Sequence, residues 1–384
     1  MIPEIDQHAA APTSDRVTFF IPSFGDGGVE RMMVNTARGI AMHGTPVDFI
    51  IKDRQVPYVD ALEGNCRIVQ FHGDDQPALL EELLGYLERE RPAVLISAKG
   101  PDDDVTLAAK ARTSVRTRFF LRPGTNISGR MQARGVNPLR RWLKQRSIGK
   151  RFRMSDGIIA VSEGVAEDIT RMSHLPREQI HVIRNPVVTP ELESAADAAL
   201  AHPWFADGAP PVIIGMGGLR TQKDFPTLLR AFARVHGSRR LRLMILGEGR
   251  QRQRLLAEAE RLGVADDFAL PGFVANPYPY LRRASLFVLS SLWEGSPNVL
   301  SEALAVGTPV VATDCPSGPR EILQGGRYGP LLPIGDVDAL ADAIDRTLTK
   351  PLPREVLREA VRDYTMEKCG RSYLEAFGLR PKGA

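Results

Sequence analysis

The chain predicts an α/β fold built from two doubly wound parallel sheets, and three observations carry that expectation. Its 384 residues exceed what one hydrophobic core organises, so two domains of ordinary size follow. Apolar runs of strand length recur along it, nearly continuous in Val, Ile, Leu and Phe, as parallel strands covered on both faces must be. Those runs alternate with longer amphipathic stretches from end to end, which is the pattern of strands joined by crossover helices.

In chain order the first strands are VTFFIPSF (17–24), VDFIIK (47–52), CRIVQF (66–71), AVLISA (93–98), RFFLRP (118–123), GIIAVS (157–162) and HVIRNP (181–186). Helical patterns such as VERMMVNTARGIAMHG and LLEELLGYLERE lie between them. The second half repeats the scheme with PVIIGMGG (211–218), LRLMILG (241–247), FALPGF (268–273), LFVLSS (286–291) and PVVATD (309–314). Residues 187–210 break the alternation with three prolines, many alanines and no strand pattern. The expected division is a disordered lead-in over 1–15, a Rossmann-like domain over 16–190, a linker over 191–210 and a second Rossmann-like domain over 211–360. A C-terminal helix over 361–384 is expected to pack back across both domains.

Apolar content of 43% and charged content of 25% are those of a soluble globular protein. No apolar run reaches the 18 residues of a membrane span, and the acid-bearing N-terminus does not read as a signal peptide. Three widely spaced cysteines, Cys66, Cys315 and Cys369, argue for a reducing compartment and against a disulfide framework or a zinc site. The cytoplasm is the expected location. Net charge is only +4, yet residues 116–153 hold many bases and no acid, with Trp142, Leu143 and Phe152 interleaved. That stretch is either a solvated helix face or a surface that meets anionic lipid or a phosphate-bearing substrate. No nucleic-acid-binding motif accompanies it.

Ligands of open α/β sheets sit at the carboxyl ends of the strands, so the loops leaving strands hold the candidate sites. SFGDGGVE offers Gly27 and Gly28 at a helix N-terminus, where free amides suit an anion. GMGGLRTQKD, at the matching place in the second half, offers Gly217 with Arg220 and Lys223. It is not a Walker loop, and it lacks the third glycine of a dinucleotide fingerprint. The third candidate, SLWEGSPNVLSEALAVGTP (291–309), predicts a helix opening at Ser296–Pro297, with Glu294 in the loop before it and Glu302 inside it. The amides of Asn298, Val299 and their neighbours would face the ligand, and the two carboxylates could accept hydrogen bonds from paired sugar hydroxyls. Taken singly, each of these is also what an ordinary strand-to-helix turn or a pair of solvated glutamates looks like.

Together they resemble the retaining glycosyltransferases of family 4, whose fold is GT-B: two Rossmann-like domains facing a central cleft. The resemblance rests on Glu294, GSP and Glu302 followed by ALAVGTPVVAT. It also rests on IPSFGDGGVERMMVNTA, GIIAVSEGVAEDI, HVIRNPV, GLRTQKDFPTLLRAFA, LMILGEG, LPGFVANPYPYLRRASLFVLSS and PSGPREILQGGRYGPLLPIGD, in that order. It implies a hexosyltransferase of bacterial surface polysaccharide synthesis, placed in the cytoplasm or peripherally on the inner face of the plasma membrane. The donor would be a nucleotide-diphosphate sugar, with UDP favoured, and the acceptor a glycan or lipid-linked molecule. No metal or other cofactor would be needed. By the resemblance Glu302 binds the ribose and Glu294 the donor sugar. Ser296, Pro297, Asn298, Val299 and Leu300 line the pyrophosphate and sugar, while Lys223 neutralises the diphosphate with help from Gly27 and Gly28. Two positions depart from the family. Gly218 stands where many relatives have Arg, with Arg220 nearby to supply charge. The loop at Gly124 lacks a family His, and Asn126 or Arg122 is the polar residue at hand to replace it. The triplet Asp102-Asp103-Asp104 is expected as a surface turn, and His72, His174 and His181 as incidental. A nucleotide-sugar epimerase of the same fold, or a non-catalytic sugar-nucleotide-binding scaffold, are the competing readings.

Overall fold

The computed structural model describes residues 14–25 and 27–381, so the expected lead-in lies outside the described residues except at its end. There the strand starts earlier than expected: β1 spans Ser14–Phe20, and Ser14 pairs with Pro92 across a local register shift before Val17. The described chain forms two compact units. Unit 1 takes residues up to 124, 136–186 and 364 onward, and unit 2 takes 125–135 and 187–363.

Unit 1 holds β1, β2 (Val47–Ile51), β3 (Arg67–Gln70), β4 (Pro92–Ser97), β5 (Arg118–Leu121), β6 (Gly157–Ala160) and β7 (Ile180–Val182). They form one parallel sheet in the order β3-β2-β1-β4-β5-β6-β7. Phe19, Phe49, Ile96 and Ile159 point into one apolar layer beneath the first helix, Gly28–Ala41. The C-terminal helix, Met366–Ala376, fills the same layer with Cys369, Tyr373 and Leu374. It lies so close to the first helix that a Cβ on Gly370 would stand 2.2 Å from the Gly39 carbonyl oxygen, and one on Gly39 would stand 2.3 Å from that of Met366. Two facing glycines permit that approach, and the segment expected to span both domains is thereby an integral part of unit 1.

One strand of this unit hides a charge. Asp48 of β2 is fully buried, ion-paired with Arg16 at 2.5 Å and with Arg67, and accepts a hydrogen bond from the Tyr86 hydroxyl at 2.5 Å. Buried carboxylates persist when paired and hydrogen-bonded in this way. Against it, burial and the Asp48 charge push the Tyr86 phenol far above its ordinary range.

Unit 2 holds β8 (Val212–Met216), β9 (Arg242–Leu246), β10 (Phe268–Gly272), β11 (Leu286–Leu289), β12 (Val310–Thr313) and β13 (Leu331–Leu332). Its order is β10-β9-β8-β11-β12-β13, again all parallel. Residues 191–210, expected as a linker, carry the short helix Leu192–Asp197, which is fastened to unit 2 by Arg282 pairing with Glu193 and Asp197. Asn276 adds a hydrogen bond to the Ala195 carbonyl at 2.8 Å.

Candidate active site

A doubly wound sheet opens a crevice where the strand order reverses, beyond the carboxyl ends of the two central strands. In unit 2 that switch point lies between β8 and β11. The loop after β8 carries Gly217, Gly218, Arg220 and a 3₁₀ turn, Thr221–Lys223. The loop after β11 carries Ser290 to Pro297 and leads into the helix Asn298–Ala305. The two loops meet in an ion pair, Lys223 Nζ to Glu294 Oε1 at 2.7 Å. Both side chains are largely buried.

The pair is held from several directions. Ser291 Oγ donates to Glu294 Oε1 at 2.7 Å, and Gln222 Nε2 reaches Glu294 Oε2 at 3.4 Å and the Trp293 carbonyl at 3.0 Å. Ser290 Oγ donates to the Lys223 carbonyl at 2.7 Å, fixing the backbone that bears the lysine. Gly217 has φ +141, and a Cβ there would come within 2.8 Å of Lys223 Cε, so only glycine leaves the lysine its path. Arg220 is exposed and folds over Gly218, whose missing side chain leaves room for its guanidinium. Among the described residues no carboxylate pairs with Arg220.

The helix after Glu294 begins later than expected. Pro297 has φ −69 and ψ 100, an extended conformation that makes it the cap, and Asn298 is the first helical residue. Ser296 and Pro297 are buried turn residues, while Asn298 and Val299 are half-buried and present the first amides. Leu300 faces the core, and Glu302 is fully buried one turn beyond Asn298.

Asn126 enters this site from far away in sequence. Residues 125–135 belong to unit 2, with Thr125 bridging Gly295 and the Asn126 amide donating to the Glu294 carbonyl at 3.0 Å. Its side chain caps the helix Ile127–Ala133 through Gly129 and donates to Ser317 Oγ at 2.8 Å. Arg122, the other residue considered for the missing His, is buried within unit 1, where it donates to the Tyr373 hydroxyl at 2.8 Å and to Asn185 Oδ1.

Gly27 and Gly28 belong to unit 1, whose own switch point lies between β1 and β4. Gly27 caps the first helix, and the buried Glu30 turns back to accept from the Gly25 amide at 3.1 Å. Lys99, after β4, pairs with Glu30 and donates to the Ser23 carbonyl at 2.5 Å. The sequence reading missed both residues, although a Glu three places after the cap is the signature of a capping box. The triplet expected as a surface turn opens the helix Gly100–Arg112 instead, because Lys99 caps it and Pro101 starts its first turn. Asp102 is buried and accepts from Ser23 Oγ at 2.7 Å, Asp103 accepts from Ser97 Oγ at 2.6 Å, and Asp104 pairs with Arg151 at 2.8 Å. Burial raises the Asp102 carboxyl to about 6 and that of Asp103 to about 7.

Known proteins resemble this chain over both units. The pattern of "Glycosyl transferases group 1" matches residues 210–350, and that of "Glycosyltransferase Family 4" matches residues 26–190. A lipopolysaccharide core biosynthesis glycosyltransferase of Rhizobium meliloti is 29% identical over 95% of this chain and 100% of its own. An N-acetylgalactosaminyltransferase of Campylobacter jejuni, named for an undecaprenol-diphosphate acceptor, is 31% identical over 87% of this chain and 90% of its own. Among solved structures, Anabaena HepE with UDP and glucose superposes with a TM-score of 0.76 at 16% identity, covering 94% of this chain and 99% of that one. With two crossover-wound parallel sheets and a relative matched along most of its length, the chain belongs to the group 1 glycosyltransferases of GT-B fold.

Proposed function

We propose that this glycosyltransferase is retaining and metal-independent, and that it moves a sugar from a UDP-sugar donor to a glycan or lipid-linked acceptor in bacterial surface polysaccharide synthesis. The observation that carries the reading is the Lys223–Glu294 pair at the switch point of unit 2, beside the opening of the helix Asn298–Ala305. Lys223, Arg220 and the positive end of that helix's dipole supply positive potential where a leaving diphosphate would gather charge. Glu294 accepts sugar hydroxyls, and Glu302 accepts those of the ribose. The relatives that act on lipopolysaccharide core and undecaprenol-linked glycans support the acceptor class. HepE, of the same fold and solved with UDP-glucose, supports the donor.

In the proposed reaction the bond between the anomeric carbon and the diphosphate oxygen breaks as the acceptor oxygen bonds to the same face of that carbon. The acceptor proton passes to the departing phosphate, leaving UDP and the glycoside with its configuration kept. Lys223 releases Glu294 to the sugar as it turns to the diphosphate, so the ion pair is the resting form of both groups.

Donor turnover tests this reading. Thermal-shift measurement across uridine, guanosine and adenosine diphosphate sugars identifies the donor, since a ligand at 100 times its Kd stabilises by about 2.7 kcal/mol. Turnover with chelator present and product NMR showing the α or β configuration of the donor retained are the expected results. Inversion, or a metal requirement, overturns the mechanism. Tight donor binding with neither transfer nor hydrolysis over a panel of acceptors would make the chain a sugar-nucleotide-binding scaffold.

A further inference from the structure

The helix Pro138–Arg153 of unit 1 is unlike its neighbours in what it leaves outside. Its second half is anchored: Phe152 is buried, and a Cβ on Gly149 would stand 2.0 Å from the Met172 carbonyl oxygen. Arg151 pairs with Asp104 at 2.8 Å, and Arg153 donates to the Ser173 carbonyl at 2.8 Å. Those contacts fix the rotation of the helix about its axis. Its first half carries Leu139, Trp142 and Leu143, which are 65%, 54% and 52% exposed. Spaced three and four residues apart, they lie on one side of the helix, opposite Phe152.

The same side continues into Arg146 and Lys150, and the Arg146 guanidinium sits 5.6 Å above the Trp142 ring. Arg140 and Lys144 flank it. The helix has seven bases and no acid. Among the described residues no carboxylate pairs with Arg140, Arg141, Lys144, Arg146 or Lys150. A merely solvated face would have no reason to hold a tryptophan and two leucines at half or more of full exposure, since burial would stabilise each by about 1.5–3 kcal/mol.

We infer that this helix docks the protein on an anionic lipid bilayer, with Leu139, Trp142 and Leu143 entering the headgroup boundary and the bases meeting lipid phosphates. Charge complementarity selects that occupant. A second copy of the chain would set like charge against like, and a neutral apolar partner would leave the unpaired bases unanswered. An interfacial helix with Trp and Leu on one side and Lys and Arg around it combines the two attractions that reversible membrane binding needs. The inference does not depend on the sugar transferred, and among the described residues no helix is long and apolar enough to cross a membrane.

Flotation of the full chain with phosphatidylcholine vesicles, and with vesicles containing about one third phosphatidylglycerol, tests it. Binding is expected to the anionic vesicles only, and to weaken in about 1 M salt, where the Debye length is ~3 Å. Arg140→Glu with Lys144→Glu is expected to weaken it on the order of a hundredfold. Leu139→Ser with Trp142→Ser is expected to weaken it about tenfold. All four positions are solvent-facing, and an unchanged UDP-induced thermal shift in both variants shows an intact fold and donor site. Equal binding to neutral and anionic vesicles, or binding untouched by either variant, overturns the proposal. Homopolymeric RNA bound as tightly as vesicles by both the parent and the Leu139→Ser/Trp142→Ser protein also overturns it, and assigns the stripe to polyanions. Absence of any UDP shift in the parent chain would strike the donor reading alone.

Discussion

Each unit spans its switch point with a Lys–Glu pair, but the two pairs are built in opposite senses. In unit 1 the glutamate follows the first strand and the lysine follows β4, as Glu30 and Lys99. In unit 2 the lysine follows the first strand and the glutamate follows β11, as Lys223 and Glu294. The polarity sets which charge each glycine loop carries. Glu30 bonds the glycine loop it helps to cap, so unit 1 already answers its loop amide with its own carboxylate. Unit 2 presents its cations, Lys223 and Arg220, from the glycine loop itself, and it reserves its carboxylate for the far side. In the proposed reading the same pair of side chains closes one crevice and leaves the other to receive an anion.

The sharpest way to break that comparison is to remove the unit 2 pair. Lys223→Ala and Glu294→Ala should each lower transfer by roughly 10²–10³-fold, the usual cost of one preorganised charge in a reacting site. A Glu30→Gln protein that lost activity as steeply would erase the distinction. Next in size is Asp48→Ala, which leaves Arg16 and Arg67 facing a buried gap. Chemical denaturation should show a loss of about 3–5 kcal/mol, while the UDP-induced shift survives in the folded fraction. Glu30→Gln should be milder, costing about 1–3 kcal/mol of stability, because the amide still reaches Gly25 and Lys99 is part-exposed. Calorimetry on that variant, with and without UDP, would separate the structural pair from the binding pair.

The smallest effect is a pH slope at the unit 1 crevice. Burial lifts Asp102 from its ordinary 3.8 to about 6, so between those values the folded chain keeps a proton that the unfolded chain releases. Stability from this group is present at low pH and is lost as pH rises through about 6. Asp103, raised to about 7, extends the same slope upward. Asp102→Asn should therefore gain on the parent by on the order of 2 kcal/mol between pH 4 and 7. A difference in melting temperature that stays flat across that range would refute the burial argument.

Local pattern carried the architecture well, since parallel strands buried on both faces advertise themselves. Every strand expected from sequence is present, and β13 escaped only because two residues, Leu331 and Leu332, are too short to show a period. The pattern alone placed Glu294 and Lys223 in loops after strands and Glu302 in the helix that follows, while the roles expected of them came from the family resemblance. Their supports were not: Asn126 lies over 160 residues from Glu294 in sequence, and nothing local marks its amide as the partner of the Glu294 carbonyl. Asp48 was hidden for the opposite reason, as a single charge inside a hydrophobic run whose partners come from β1 and β3. The helix opening was misplaced by one or two residues because a Pro suits either the cap or the first turn, and its ψ alone decides.

The C-terminal helix has a consequence for how the chain is made. Most of unit 1 precedes unit 2 in the chain, yet Cys369, Tyr373 and Leu374 complete its core, and Arg122 finds its buried partner in Tyr373. Unit 2 has all its residues by Asp363. During synthesis the second domain can therefore close while the first still waits, with an apolar layer uncovered, for the helix Met366–Ala376 to leave the ribosome. Of the two units, the one whose strands are translated first is the one that finishes folding last.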